Sequence, residues 1–255
     1  KMTRELVEKA NKCQIIARVG VGLDNIDQDA AKEKNIRVIN AVEGAITAVA
    51  ELVIGLMLSM AREIPRADRE IRNGNWIKKE LMGSELKGKY LGIVGLGNIG
   101  KRLGRLARAL NMNVIGYDVT PIDDEFSKEV GLMKADLDTL LSSADYVSFH
   151  VPLLDSTRHM INAEKLKMMK NTARIINTAR GGVIDEEALY NTLKDGSLAG
   201  AALDVFEVEP AIGNKLTTLP NFIATPHMGA QTKEAQLLAA NVIAEKIIQV
   251  LRGVL

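Results

Sequence analysis

Arg180, Glu209 and His227 carry the most reactive chemistry in this 255-residue chain. Arg180 lies in "RIINTARGGVIDEEAL" (174 to 189), after an apolar run that reads as a buried strand. Gly181-Gly182 follow it at once, and a helix is expected to begin near Asp185. A guanidinium fixed at a strand end can grip a carboxylate through two parallel hydrogen bonds, or it can close a structural ion pair. The paired glycines leave room for a ligand. His227, in "TPHMGA", stands at another strand end between a proline and a glycine, and Glu209, in "DVFEVEP", lies one strand earlier. A carboxylate beside an imidazole fixes its tautomer. Such a histidine can protonate a ketone oxygen as hydride arrives, or take a proton from an alcohol as hydride leaves.

A second motif supplies a place for the hydride carrier. "YLGIVGLGNIGKRLGRLARAL" reads as strand, turn and amphipathic helix, and the turn holds Gly95, Gly97 and Gly100 in a G-x-G-x-x-G spacing. The bare spacing is weak evidence in a chain with 21 glycines, but Asp118 follows 18 residues after Gly100, at the end of the next strand. In that context Gly95 permits the tight turn, Gly97 admits a pyrophosphate, and Gly100 lets the helix lie against the sheet. Asp118 would accept hydrogen bonds from both adenosine ribose hydroxyls and repel a 2′-phosphate. NAD is therefore expected rather than NADP. A third glycine turn, "RVGVGLDNID", carries Arg18, Val19, Gly20 and Val21, whose successive amides can form a concave anion site for substrate.

These residues need a scaffold that presents strand ends side by side. Short branched runs read as strands: "QIIARV", "IRVIN", "YLGIVGL", "NVIGYD", "YVSFHV", "RIINT", "AGAALDV" and "NFIATP". Helical spacing fills 28 to 34, 99 to 110, 136 to 142, 162 to 169 and 185 to 195. The alternation predicts an α/β fold, a doubly wound parallel sheet of the Rossmann nucleotide-binding kind. Ligands sit beyond the carboxyl ends of such strands, where His150, Pro152, Thr157, Thr178, Ala179, Arg180, Asp204, Glu209 and His227 all fall. His150 is expected to line the cofactor pocket and His159 to be a surface residue. From Thr47 to Arg72 the pattern stays helical, interrupted only by Pro65, which suits a contact between subunits or domains.

Bulk properties exclude other classes. A formal net charge of +1 gives no field for nucleic acid. The longest apolar stretch, "ITAVAELVIGLMLSM", includes Glu51 and falls short of the roughly twenty apolar residues a bilayer requires. No membrane role and no signal peptide are expected. The one cysteine, Cys13, reads as a small buried apolar side chain in a reducing, cytoplasmic protein. No His, Cys or carboxylate cluster has metal-ligand spacing.

Taken together, "ARVGVGLDNID", "NGNWIKKELMGSELKGKYLGIVGLGNIG", "HVPLLDST", "NTARGGVIDEEAL", "GAALDVFEVEP" and "TPHMGAQTKEAQ" resemble the D-2-hydroxyacid dehydrogenase family over essentially the whole chain. The tryptophan segment and "TKEAQ" are most similar to its phosphoglycerate dehydrogenase branch. The resemblance implies that Arg180 orients the substrate, that His227 is the acid-base and that Glu209 is its partner. It implies that Asp204 holds the nicotinamide carboxamide, with the Thr178-Ala179 backbone and the turn from His227 through Gly229 to Ala230. Asn98 and Ile99 would meet the pyrophosphate, with Thr157 nearby; many relatives have arginine where Asn98 stands. It further implies a NAD-binding domain over 44–229 and a smaller flavodoxin-like substrate domain over 1–43 and 230–255, incomplete on its N-terminal side. A homodimer acting on a small anionic 2-hydroxy or 2-keto acid would follow, with 3-phospho-D-glycerate, the entry to serine synthesis, as the leading substrate. Glyoxylate or hydroxypyruvate reduction, D-lactate oxidation, and a NAD-sensing corepressor-like role are the alternatives.

Overall fold

The computed structural model of the chain describes residues 1–254. All eight expected runs form strands: β1 Ile15–Arg18, β2 Arg37–Asn40, β3 Tyr90–Val94 and β4 Asn113–Tyr117, then β6 Tyr146–Phe149, β7 Arg174–Asn177, β8 Gly200–Leu203 and β9 Phe222–Ala224. The intervening β5, Met133–Lys134, was not expected, because both its residues are exposed and no apolar run announces it.

Strands β3 to β9 form one parallel sheet in the order β5-β4-β3-β6-β7-β8-β9. Both faces are covered, which is why the strands read as continuous apolar runs rather than alternating ones. Successive residues point to opposite faces: Val114, Ile176 and Ala202 enter one core cluster, while Ile115, Ile175 and Ala201 enter the other. The chain adds β4 and β5 on one side of β3 and β6 to β9 on the other, so the order reverses between β3 and β6. Such a switch point opens a crevice at the strand ends.

The crossover helices begin where side chains can accept the orphan amides of the first turn. Asp136 accepts from Thr139 N ahead of the helix Leu137–Ser143, and Asn162 accepts from Glu164 N ahead of Ala163–Lys167. Asp185 accepts from Ala188 N ahead of Glu186–Lys194, as its position predicted. The helix Asp124–Val130 was not anticipated, although Asp123 caps it and Gly131 ends it in a left-handed conformation.

The expected long helix is two helices, Ala45–Ala61 and Ile64–Arg72, bent by 63°. Pro65 lies in the first turn of the second helix, not in the middle of a continuous one. A proline ring clashes with the carbonyl four residues earlier, here that of Ala61, so the helix stops before it. Ser84 N then donates to that carbonyl at 2.9 Å. Among the described residues no single helix is long and apolar enough to cross a membrane. The apolar helix instead buries Ala50, Val53, Leu56, Met57 and Ala61.

The chain divides into two compact units, Lys1–Val49 with Ala230–Leu255, and Ala50–Gly229. The first unit pairs β1 and β2 in parallel and adds the helices Arg4–Lys9, Gln28–Glu33 and Lys233–Leu251. The first and last of these were unassigned from sequence. Lys233–Leu251 carries apolar residues around most of its circumference, which blurs a helical period. Gly44 is needed beside it, because a Cβ there would lie 2.6 Å from Ala235 O and 2.8 Å from Ala239 Cβ.

Candidate active site

The sheet register sets the site. Val94 pairs with Tyr117 on one side and Phe149 on the other, and the row continues through Asn177, Leu203 and Ala224. The residues that follow, Gly95, Asp118, His150, Thr178, Asp204 and Thr225, therefore leave the sheet along one edge. All of these but Thr225 are expected at strand ends from the sequence; the parallel order makes those ends one surface.

At the switch point the glycines have distinct jobs. Gly95 has φ +94°, and a Cβ there would lie 2.8 Å from His150 O. A Cβ on Gly100 would overlap Gly95 O. Gly97 has nothing within 4 Å of its Cβ position, and Asn98 beside it is exposed. The helix Asn98–Ala109 starts with no side-chain cap and no acidic residue in its first turn. Its leading amides are thus left for an anion, which is what a pyrophosphate requires. Ile99 sits half-buried in the same turn.

Asp118 closes the other side of this turn. Its carboxylate accepts from Leu96 N at 2.6 Å and from Thr120 N and Oγ1, each at 2.8 Å. Partial burial opposes ionisation, but the Thr120 and Leu96 donors outweigh it and hold the carboxyl below its ordinary range. An ionised carboxylate here suits a ribose diol and opposes a 2′-phosphate. Asp118→Ser is expected to weaken NADH binding about ten- to hundredfold, the loss of roughly 1.5–3 kcal/mol for hydrogen bonds to a charged group. NADPH binding should weaken less or improve. Fluorescence titration with both nucleotides checks this.

Arg180 is held by its own loop. Asn177, almost wholly buried, accepts from Ala179 N at 2.9 Å and donates to Arg180 O at 2.8 Å. Arg180 Nη1 donates to Ala179 O at 2.6 Å. Buried Thr178 Oγ1 has no hydrogen-bond partner in the structure. Gly181 is obligatory, because a Cβ would overlap the Phe206 carbonyl. The loop after β7 thus lies directly against the loop after β8.

That second loop carries Glu209. Its Oε1 accepts from Phe206 N at 3.1 Å, and its Oε2 lies 2.8 Å from His227 Nδ1. The inferred pair is formed, with Nδ1 turned to the carboxylate and about half of the imidazole side chain exposed. His227 has φ +54°, a left-handed conformation that a non-glycine residue keeps only where its surroundings hold it. Asp204 does the holding. It is fully buried and accepts from Thr225 Oγ1 at 2.6 Å, Met228 N at 2.9 Å and Gly229 N at 2.9 Å. Its carboxylate is engaged by the histidine's own loop.

The other expected residues are more varied. His150 Nε2 lies 3.0 Å from Ser148 Oγ, and burial pushes its pKa down to about 4, so the ring is neutral. Exposed Pro152 lends its carbonyl to Thr157 Oγ1 at 2.6 Å, so that hydroxyl shapes its own turn. Ala230 belongs to the smaller unit, where its carbonyl accepts from Gln236 Nε2 at 2.9 Å. Arg18, Val19, Gly20 and Val21 follow or end β1 in that same unit. Gly20 has φ +141°, Asn40 Nδ2 donates to Val21 O at 2.7 Å, and the buried Arg18 Nε has no partner. Cys13 is half-buried rather than buried, its thiol donating to Ile15 O at 3.3 Å. His159 is only half-exposed and pairs with Glu207.

Asn177, Thr225 and Ser148 were missed as supporting residues. Each is a polar residue in or next to an apolar strand, and that contrast is the signal the sequence offers for a buried hydrogen-bonding role.

A family model described as "D-isomer specific 2-hydroxyacid dehydrogenase, NAD binding domain" matches residues 54–229. The D-3-phosphoglycerate dehydrogenase of Methanocaldococcus jannaschii is 50% identical over 254 residues, 99% of this chain and 48% of that protein. The hydroxypyruvate reductase of Thermotoga maritima is 48% identical over 98% of this chain and 81% of its own length. A crystal structure of D-lactate dehydrogenase from Aquifex aeolicus, complexed with NAD and lactic acid, superposes with a TM-score of 0.88 at 31% identity, covering 100% of this chain and 81% of that one. The chain spans about half the length of the phosphoglycerate dehydrogenases it matches. Matched over most of its length in sequence and fold, it belongs to the D-isomer specific 2-hydroxyacid dehydrogenase family.

Proposed function

We propose that this chain carries the NAD-dependent oxidation of 3-phospho-D-glycerate to 3-phosphohydroxypyruvate. The observation that carries the reading is the 2.8 Å bond from His227 Nδ1 to Glu209 Oε2, on strand ends next to the Arg180 loop. Bound NAD supplies the hydride acceptor. With Nδ1 committed to the carboxylate, His227 Nε2 takes the proton of the substrate hydroxyl, or returns it to the ketone oxygen in reverse. Arg180 orients the substrate carboxylate as a two-pronged donor. The Thr178-Ala179 backbone, Asp204 and the turn from His227 to Ala230 serve the nicotinamide end. Asn98, Ile99 and Thr157 serve the pyrophosphate, and His150 and Pro152 line that pocket. Arg18 and the Val19-Gly20-Val21 amides bind the anionic substituent of the substrate.

The substrate choice is supported by the names of the similar phosphoglycerate dehydrogenases and by the tryptophan and "TKEAQ" segments. The hydroxypyruvate reductase at 48% identity supports a second reading, in which a small unphosphorylated keto acid is reduced. The smaller unit is read as the substrate-binding domain, of flavodoxin-like kind. A homodimer through the bent helix pair, acting in the cytoplasm, completes the proposal.

NADH oxidation by the full-length protein with phosphohydroxypyruvate, hydroxypyruvate, glyoxylate and pyruvate separates these readings. Phosphohydroxypyruvate should give the highest kcat/KM; preference for an unphosphorylated acid overturns the substrate assignment, and no turnover with any of them overturns the enzyme. Arg180→Ala should raise the keto-acid KM about tenfold to hundredfold, the loss of a charge-assisted hydrogen-bond pair, with a smaller fall in kcat. Arg180→Lys should recover little, because an ammonium is not a planar fork. Steady-state kinetics at saturating NADH reads both.

A further inference from the structure

His159 joins the two loops that carry Arg180 and Glu209. Its backbone N–H donates to Gly182 O at 2.7 Å, in the loop after β7. Its Nε2 lies 3.0 Å from Glu207 Oε1, in the loop after β8. Glu207 is further fixed to the start of the helix Glu186–Lys194. Glu186 N donates to Glu207 Oε1 at 3.2 Å, and Glu207 N donates to Glu186 Oε1 at 2.6 Å. Asn214 Nδ2 donates to the second Glu186 oxygen at 2.7 Å.

The backbone at His159 is bent to make this reach. Its φ is +49°, which costs free energy at a non-glycine residue and persists only where the surroundings fix it. Both of its ends are fixed, one by the Gly182 carbonyl and one by Glu207. The two loops also abut, since Gly181 has no room for a Cβ beneath Phe206 O. Pushing these loops apart would therefore move Arg180 and Glu209 relative to one another.

We propose that His159 is a positioning residue, strapping the Arg180 loop through its backbone and the Glu209 loop through its imidazole. Its kinetic consequence rests on the dehydrogenase reading above. The side chains of His159 and Glu207 are 42% and 36% exposed, so their contact adds little to global stability. Its effect is local and geometric, and small displacements of positioned groups are expensive in rate.

The test uses the full-length protein with His159→Asn and His159→Gln. Asparagine tolerates the left-handed backbone but is too short to reach Glu207. Glutamine can place its amide near the position of Nε2. In His159→Asn, amide exchange in 180–186 and 205–209 should quicken about fivefold, the size expected for one lost hydrogen bond. The keto-acid kcat/KM should fall about tenfold, with NADH affinity and Tm unchanged. His159→Gln should recover most of both losses. Unchanged exchange in the two loops overturns the strap, whatever the activity. Faster exchange with unaltered kcat/KM overturns its positioning role. If the parent protein turns over no keto acid, the dehydrogenase reading fails instead, and the exchange measurement still decides the strap.

Discussion

His227→Gln is expected to bind NADH within about twofold of the parent protein while losing roughly 10²- to 10⁴-fold in kcat, the usual contribution of a positioned acid-base group. The split follows from where His227 sits. Its Nδ1 faces Glu209, and the amides of its loop are tied to Asp204 through Met228 and Gly229, not through the imidazole. Glutamine keeps the loop's backbone bonds and fills similar space, but it cannot give up or accept a proton near neutrality. Glu209→Gln should fall between the parent and His227→Gln. Its amide can still keep one oxygen near Nδ1, but it no longer supports the charged imidazolium formed as the alcohol proton is taken. Stopped-flow hydride transfer with a saturating keto acid, beside an NADH titration, separates chemistry from binding. Near-parental turnover in His227→Gln would remove the acid-base assignment.

Asp204→Ala should have the largest effect on stability. The carboxylate is fully buried and receives one hydroxyl and two backbone N–H groups. Thr225 can turn its hydroxyl elsewhere, but the Met228 and Gly229 amides would be left without an acceptor. The Gly229 donor is buried and its loss costs about 1–3 kcal/mol, while the part-buried Met228 donor costs about half as much, so a loss of roughly 2–4 kcal/mol is expected. In a domain of this size that corresponds to a fall in Tm of about 4–16 °C. Asp204→Asn should cost less, because one oxygen survives, yet its NH₂ group must face a donor. Calorimetry gives the stability change, and amide exchange at 225–229 shows whether the opening is local. A variant with unaltered Tm and only weaker NADH binding would show that Asp204 acts on the nicotinamide end alone and that the loop does not depend on its carboxylate.

Much of this protein was determined by the local sequence. Branched apolar runs bounded by glycine, asparagine and aspartate fix eight strands, because a fully covered parallel sheet demands apolar residues on both faces. The glycine turn with Asp118 after the next strand was equally legible, since each glycine answers a backbone requirement that no other residue meets. The pairing of Glu209 with His227 could be proposed because adjacent parallel strands bring their ends together. Elements without a local signature stayed hidden: the exposed two-residue β5, and the helix Lys233–Leu251 with apolar residues around most of its surface.

Only the tertiary structure decided which polar groups are already committed. Asp204 reads in sequence as a carboxylate at a strand end, and packing gives it three donors from the loop of His227 that no local pattern announces. His159 reads as a surface residue, yet it bridges Gly182 and Glu207. Pro65 reads as an interruption within one helix, yet the chain breaks before it and bends by 63°. In each case the partner is distant in the chain or set by a backbone angle. Residue type gives a group's capacity to bond, and the packed fold alone determines where that capacity is used.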